Sequence, residues 1–144
     1  MTNTPEKIVY TATATSTGGR AGRGVSTEPD LDLTFTAPVV MGGNGEGTNP
    51  EQLFALGYGA CFTGALGLAG KEKGVDTSQA KVQTSVGFGP EGESYAITAD
   101  IKVQIPGLEL SEAQAIVDRT HELCPYSKAT RGNVPVTVTA VESL

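Results

Sequence analysis

"LFALGYGACFTGALGLAG", residues 53–70, is the stretch on which the fold turns: 18 residues without a charge, with Cys61 at their middle. A membrane-spanning helix needs about 20 mostly apolar residues. This run is at the short limit, and Gly57, Gly59, Gly64, Gly67 and Gly70 dilute its hydrophobicity. Amphipathic strands flank it and would be left without a partner if it sat in lipid. A helix apolar all round is buried inside protein, so a core helix is expected rather than membrane insertion. Its start is marked by "TNPEQ": Asn49 can cap, Pro50 suits the first helical position, and Glu51 suits the positive end of the dipole.

Working outward, Ile8–Ser16 alternates in Thr and Val and reads as a strand, and "LDLTFTAP" as a second. "TGGRAGRG" and the glycine-rich Met41–Pro50 read as loops. Between Lys81 and Ile105 the pattern is a hairpin turned at "GPEGE". Val82, Val86 and Phe88 are assigned to one face, and Tyr95, Ile97, Ala99, Ile101, Val103 and Ile105 to another. A second helix is expected from Ser111, with Gln114 completing a capping box, an apolar stripe from Ala113 to Cys124, and Pro125 as its end. "VPVTVTAV" reads as a last strand.

The chain has 144 residues, and one domain, residues 1–144, is the simplest reading. One sheet cannot cover an all-apolar helix on every side. A second copy could, and small residues at 57, 60, 64 and 67 would let two backbones approach, so a homodimer centred on this helix is expected. A net charge of −6 and a pI near 4.7 argue against nucleic-acid and anionic-membrane binding. The first residues lack a signal-peptide layout, and a cytoplasmic protein is expected. Two cysteines and one histidine do not assemble a structural zinc site. In the cytoplasm the cysteines are expected to be reduced, and either buried or reactive.

Both cysteines fall on buried helical faces, and free cysteine often behaves as a small hydrophobe. Cys61 lies 11 residues beyond Pro50, about 16 Å along the axis, out of reach of the helix dipole. As a nucleophile it would need a cation from elsewhere. Arg20, among flanking glycines, is the candidate, and Glu51 is available as its counter-ion. Cys124, at a helix C-terminus, suits a resolving thiol better than an attacking one. "CPYS" resembles a thioredoxin-type tetrapeptide, but those cysteines begin a helix. His121 could touch Cys124 as a hydrolase dyad, yet no signature supports one.

"TATATSTGGRAGR", "GGNGEGTNPEQLFALGYGACF" and "HELCPYSKATRGN" together resemble the three blocks of the organic hydroperoxide resistance (Ohr) proteins of the Ohr/OsmC superfamily. The resemblance runs from about Lys7 to Val141. It implies an α+β fold of antiparallel sheets wrapped around two central helices in an intertwined homodimer. It also implies a peroxidase reducing organic hydroperoxides, fatty-acid hydroperoxides included, to alcohols. By resemblance Cys61 is the attacking cysteine, Cys124 the resolving one, Arg20 the thiolate's arginine and Glu51 the carboxylate orienting it. Phe54, Tyr58 and Phe62 are expected to contact the alkyl tail. No bound cofactor or metal is implied; a dihydrolipoyl group on a lipoylated protein is the expected reductant. On one straight helix Glu51 and Cys61 would be about 15 Å apart along the axis. Either the helix begins after Glu51, or it bends, or Glu51 serves the other chain's site. The rival readings are an OsmC-type peroxidase of different substrate preference and a non-catalytic carrier of hydrophobic ligands.

Overall fold

A computed structural model describes residues 2–144 and divides the chain into two compact units, one ending at Leu53 and the other running Phe54–Leu144. The first unit is a small antiparallel sheet, β1 (Ala14–Thr17), β2 (Arg23–Ser26) and β3 (Leu31–Thr34), in the order β1-β2-β3. The expected strand from Ile8 is thus shorter than its alternation suggested. Residues 8–13 have no strand partner, and Ile8, Val9 and Tyr10 are 65%, 87% and 73% exposed. Alternation supplies a face, but a strand also needs a neighbour. β2 begins at the end of the segment read as loop, with Arg23 and Gly24, and runs two residues beyond it.

Helix α1 (Pro50–Glu72) begins where the capping signals put it. Asn49 Oδ1 accepts from the Gln52 N–H at 2.8 Å, satisfying one of the orphan donors of the first turn. By length and composition alone α1 could cross a membrane. Yet Tyr58, Phe62, Ala65, Leu66, Ala69 and Gly70 are buried in the core of the second unit. Burying each large side chain of that set contributes about 1.5–3 kcal/mol.

The sheet opposite them is β4 (Lys81–Glu91), β5 (Ser94–Gln104) and β6 (Val136–Ala140). Its hairpin turns on Gly92 and Glu93 alone, with Gly92 at φ 58°, because pairing continues out to Glu91 opposite Ser94. The register corrects the assignment to two faces. Val82 stands opposite Val103, Val86 opposite Ala99 and Phe88 opposite Ile97. Directly paired residues point to the same side of a sheet, so both sets form one apolar face. β6 runs parallel to β5, with Ile101 beside Val138 and Val103 beside Ala140. That sheet is therefore mixed, a departure from the expected antiparallel sheets. Parallel neighbours need a crossover, and two helices between β5 and β6 supply it.

Those helices are α2 (Leu110–Leu123) and α3 (Pro125–Thr130). Ala113, Ile116, Val117 and Thr120 form the buried stripe of α2, as their spacing required. Its start differs from expectation: Glu109 precedes the helix without a side-chain cap, and Ser111 lies inside it. Gln114, instead of completing a capping box, reaches the last strand. Its amide donates to the Val138 carbonyl at 3.2 Å, and its oxygen accepts from the Ala140 N–H at 2.7 Å.

Candidate active site

Cys61 and Cys124 are brought together inside the second unit. Their sulfurs lie 3.6 Å apart in S–H···S contact, and both are free thiols. A disulfide would need about 2.05 Å, so the pair is one short movement from bonding. Cys61 projects from the middle of α1 and is partly exposed, whereas Cys124 is fully buried.

Cys124 occupies a corner. It ends α2 and also begins α3, in extended conformation at φ −64° and ψ 124°. The view of it as only a helix terminator is corrected: Pro125 stops α2 and, as a first-turn residue, starts α3. The helix-start objection to a thioredoxin-like reading therefore loses its force. What remains against that reading is that Ser127, not a cysteine, ends the tetrapeptide, and that the partner thiol comes from α1.

Burial pushes the Cys61 thiol above its ordinary value; the Tyr126 backbone N–H pulls it back, and the neighbouring Cys124 sulfur adds to the rise. Within its own unit, then, Cys61 is not an activated nucleophile. To act as a nucleophile it would need a cation, as its distance from the helix N-terminus already indicated.

In the first unit, Arg20 and Glu51 meet as a two-pronged pair, at 2.7 Å (Nη1 to Oε2) and 2.6 Å (Nη2 to Oε1). Arg20 sits in a single helical turn, Gly19–Ala21, entered through Gly18 at φ 72°. A Cβ on Gly22 would lie 1.8 Å from the Thr17 carbonyl oxygen, so the turn cannot tighten with any other residue there. Glu51 is in the first turn of α1. The Arg20 hydrogen bonds hold its carboxyl below the usual range against the opposing effect of burial. The guanidinium side chain keeps 39% of its exposure and the carboxylate 15%.

Of the residues expected to meet substrate, Phe54 is half-buried, while Tyr58 and Phe62 are fully buried. Phe54 packs edge-on to Tyr58 with centroids 5.9 Å apart, and 6.3 Å from the exposed ring of Tyr126. Sequence reasoning missed Tyr126, whose N–H addresses Cys61 and whose ring joins this cluster. It also missed Ser127. His121 bonds to Ser127 Oγ through Nδ1 at 2.7 Å instead of forming a hydrolase dyad with Cys124. The signal for both was "CPYS" itself, read for its cysteine alone. Among the described residues no group of three or more His, Cys, Asp or Glu side chains could hold a metal.

Comparison with known proteins identifies the family. Residues 43–139 match the family model described as OsmC-like protein. The organic hydroperoxide resistance protein of Xanthomonas axonopodis pv. citri is 47% identical over 137 residues, covering 94% of this chain and 96% of that protein. The crystal structure of the organic hydroperoxide resistance protein OhrB of Bacillus subtilis superposes with a TM-score of 0.84 at 38% identity, covering 93% of this chain and all of that one (100%). The crystal structure of an organic hydroperoxide resistance protein from Elizabethkingia anophelis superposes with a TM-score of 0.87 at 39% identity, covering 95% and 99%.

Proposed function

Because the chain belongs to the organic hydroperoxide resistance proteins of the OsmC-like family, we propose that it detoxifies organic hydroperoxides as a two-cysteine peroxidase. The observation that carries this reading is the 3.6 Å approach of a partly exposed thiol to a fully buried one in the reduced protein. The Cys61 thiolate attacks the distal oxygen of R–O–O–H. The O–O bond breaks, the alkoxide leaves with a proton as R–OH, and Cys61 becomes a sulfenic acid. The Cys124 sulfur then attacks the Cys61 sulfur, the S–O bond breaks, and water leaves with the thiol proton. A dihydrolipoyl dithiol on a lipoylated protein reopens the disulfide by two exchange steps and is itself oxidised to the cyclic disulfide. No bound cofactor takes part.

Arg20 supplies the cation that Cys61 lacks, lowering the thiol's pKa and stabilising negative charge on the peroxide oxygens. Glu51 holds that guanidinium in register. Phe54, with Tyr58 and Phe62 behind it, provides the apolar wall that selects an alkyl tail. The whole chain, 1–144, works as one functional domain in the cytoplasm.

The working form is a homodimer. No described residue of the first unit is fully buried, although it spans more than fifty residues. A unit of that size without a core needs covering. On α1, Leu56 and Leu68 are 66% and 62% exposed, and nothing lies within 4 Å of a Cβ built on Gly64 or Gly67. Gly57, expected on the same face, is instead taken by the Tyr126 ring at 3.4 Å. Since α1 begins at Pro50, the alternative in which the helix starts after Glu51 does not hold. α1 is also uninterrupted between Glu51 and Cys61, so in place of a bend that brings them together we assign each Arg20–Glu51 pair, about 15 Å along the helix, to the partner chain's cysteines.

The test is consumption of cumene hydroperoxide with dihydrolipoamide as electron donor, beside glutathione. Catalytic conversion to the alcohol with the dithiol is expected. Unreacted thiols and no consumption with either donor would return the chain to the ligand-carrier reading. Mixing an Arg20→Ala protein with a Cys61→Ser protein tests the shared site: reassociation should restore activity, because one of the two sites is then intact.

A further inference from the structure

The corner that carries Cys124 is tied down by polar groups that take no part in the bond-making steps of the peroxidase cycle. His121, three residues before Cys124, and Ser127, three after it, meet across the corner at 2.7 Å. Ser127 Oγ also lies 2.8 Å from the Tyr58 hydroxyl, and Tyr58 stands on α1 three residues before Cys61. Thr130 extends the chain: its hydroxyl is 3.2 Å from that of Tyr58 and can donate to the Ser127 carbonyl at 3.2 Å. On the outer side the Arg131 guanidinium donates to the His121 carbonyl at 2.6 Å. Tyr58 and Ser127 are fully buried, and Thr130 is 4% exposed. Buried hydroxyls are costly unless bonded. When every member of a buried polar network is satisfied, the network fixes one geometry.

The protons can be placed without leaving a member unsatisfied. Tyr58 donates to Ser127, Ser127 donates to His121 Nδ1, and Thr130 donates to the Ser127 carbonyl. We propose that Tyr58, Ser127 and His121 are positioning residues, a strap that holds the Cys124 corner onto α1 and so presents its sulfur to Cys61. The strap begins and ends beside the two cysteines: one end is anchored three residues from Cys61, the other three residues from Cys124. None of its side-chain hydrogen bonds reaches either reacting sulfur. Its contribution is preorganisation, raising the effective concentration of one thiol at the other.

This inference rests on Cys124 acting as the resolving thiol, and its test is chosen to be separable from the peroxidase reading. The full chain is equilibrated in glutathione buffers, quenched in acid and weighed. The exchange is protein dithiol plus oxidised glutathione giving the Cys61–Cys124 disulfide plus two reduced glutathiones, and it needs no hydroperoxide. Ser127→Ala and His121→Leu should each lower the effective concentration of the pair about five- to tenfold, the worth of one buried hydrogen bond. His121→Asn keeps an acceptor near the Nδ1 position and should stay within about twofold of the parent. If the alanine and leucine variants also stay within that range, or if His121→Asn falls as far as His121→Leu, the strap is structural only and the proposal is overturned. Should Ser127→Ala fail to fold, the leucine–asparagine contrast at His121 decides alone. A parent that closes its disulfide in glutathione but ignores cumene hydroperoxide would break the peroxidase reading and leave the strap intact.

Discussion

The two thiols are 3.6 Å apart, yet they sit on opposite kinds of backbone. Cys61 is carried in the middle of a 23-residue helix and packs against a core that includes Tyr58, Phe62 and Ala65 of the same helix. Cys124 sits where one helix stops and another starts, at a junction with no continuous helical ladder of its own. The contrast matches the two tasks proposed for them. An attacking sulfur must keep its aim on a substrate that comes and goes, and a rigid helix keeps aim. A resolving sulfur must close about 1.5 Å to reach disulfide length, and a corner strapped onto α1 beside Cys61 starts that approach already aimed.

The contrast can be broken or sharpened by four experiments, the largest effect first. Cys61→Ser should remove turnover by about three orders of magnitude or more, because no other group in the cycle attacks the peroxide. Arg20→Ala should slow sulfenic acid formation about 10²–10³-fold, the scale of losing one preorganised charge donor. Its rate should then climb with pH beyond the ordinary thiol value of about 8.5, since burial raises the unassisted Cys61 pKa. Arg23 offers the control. It forms a similar two-pronged pair with Asp32, but both side chains are more than half exposed, at 59% and 57%. Arg23→Ala should leave peroxide reduction unchanged in the same stopped-flow assay.

A third effect concerns acid. Glu51 has a lowered folded pKa, mainly through its hydrogen bonds to Arg20. The stability from that pair is complete above the unfolded glutamate value of about 4.3. It is lost as pH falls through the lower folded value. Thermal melts of parent and Glu51→Gln should therefore differ at neutral pH and converge in acid; a constant gap would refute the linkage. The smallest effect is expected under α1. Thr84 Oγ1 is, among the described residues, the buried side-chain oxygen without a hydrogen bond, and it faces Gly59. Thr84→Val should raise stability by about 1 kcal/mol in denaturant melts and leave turnover alone.

What the sequence showed, and what it concealed, follows from how local each feature is. Helix α1 was legible down to its Asn49 cap because capping is a matter of four consecutive residues. The Arg20–Glu51 pairing was legible from chemistry, as a half-buried guanidinium needs a carboxylate and few were placed to serve. β2 was not, because four residues reading "RGVS" carry no alternation, and only the register with Leu31–Ser26 and its neighbours defines them as a strand. The single shared face of β4 and β5 also depends on register, which periodicity in each strand alone does not supply. Cys124 was read from α2 only, since Pro125 signals an end and a beginning with the same residue. The side-chain strap at Ser127 joins residues 69 positions apart to others six apart, and no one-dimensional pattern announces that.

The most direct test of the central claim is the intact mass of the reduced protein after one equivalent of cumene hydroperoxide, beside a Cys124→Ser variant. The account predicts loss of two hydrogens in the parent and gain of one oxygen, at Cys61, in the variant. Unchanged masses in both, or an oxygen placed on Cys124 in the parent, would contradict it.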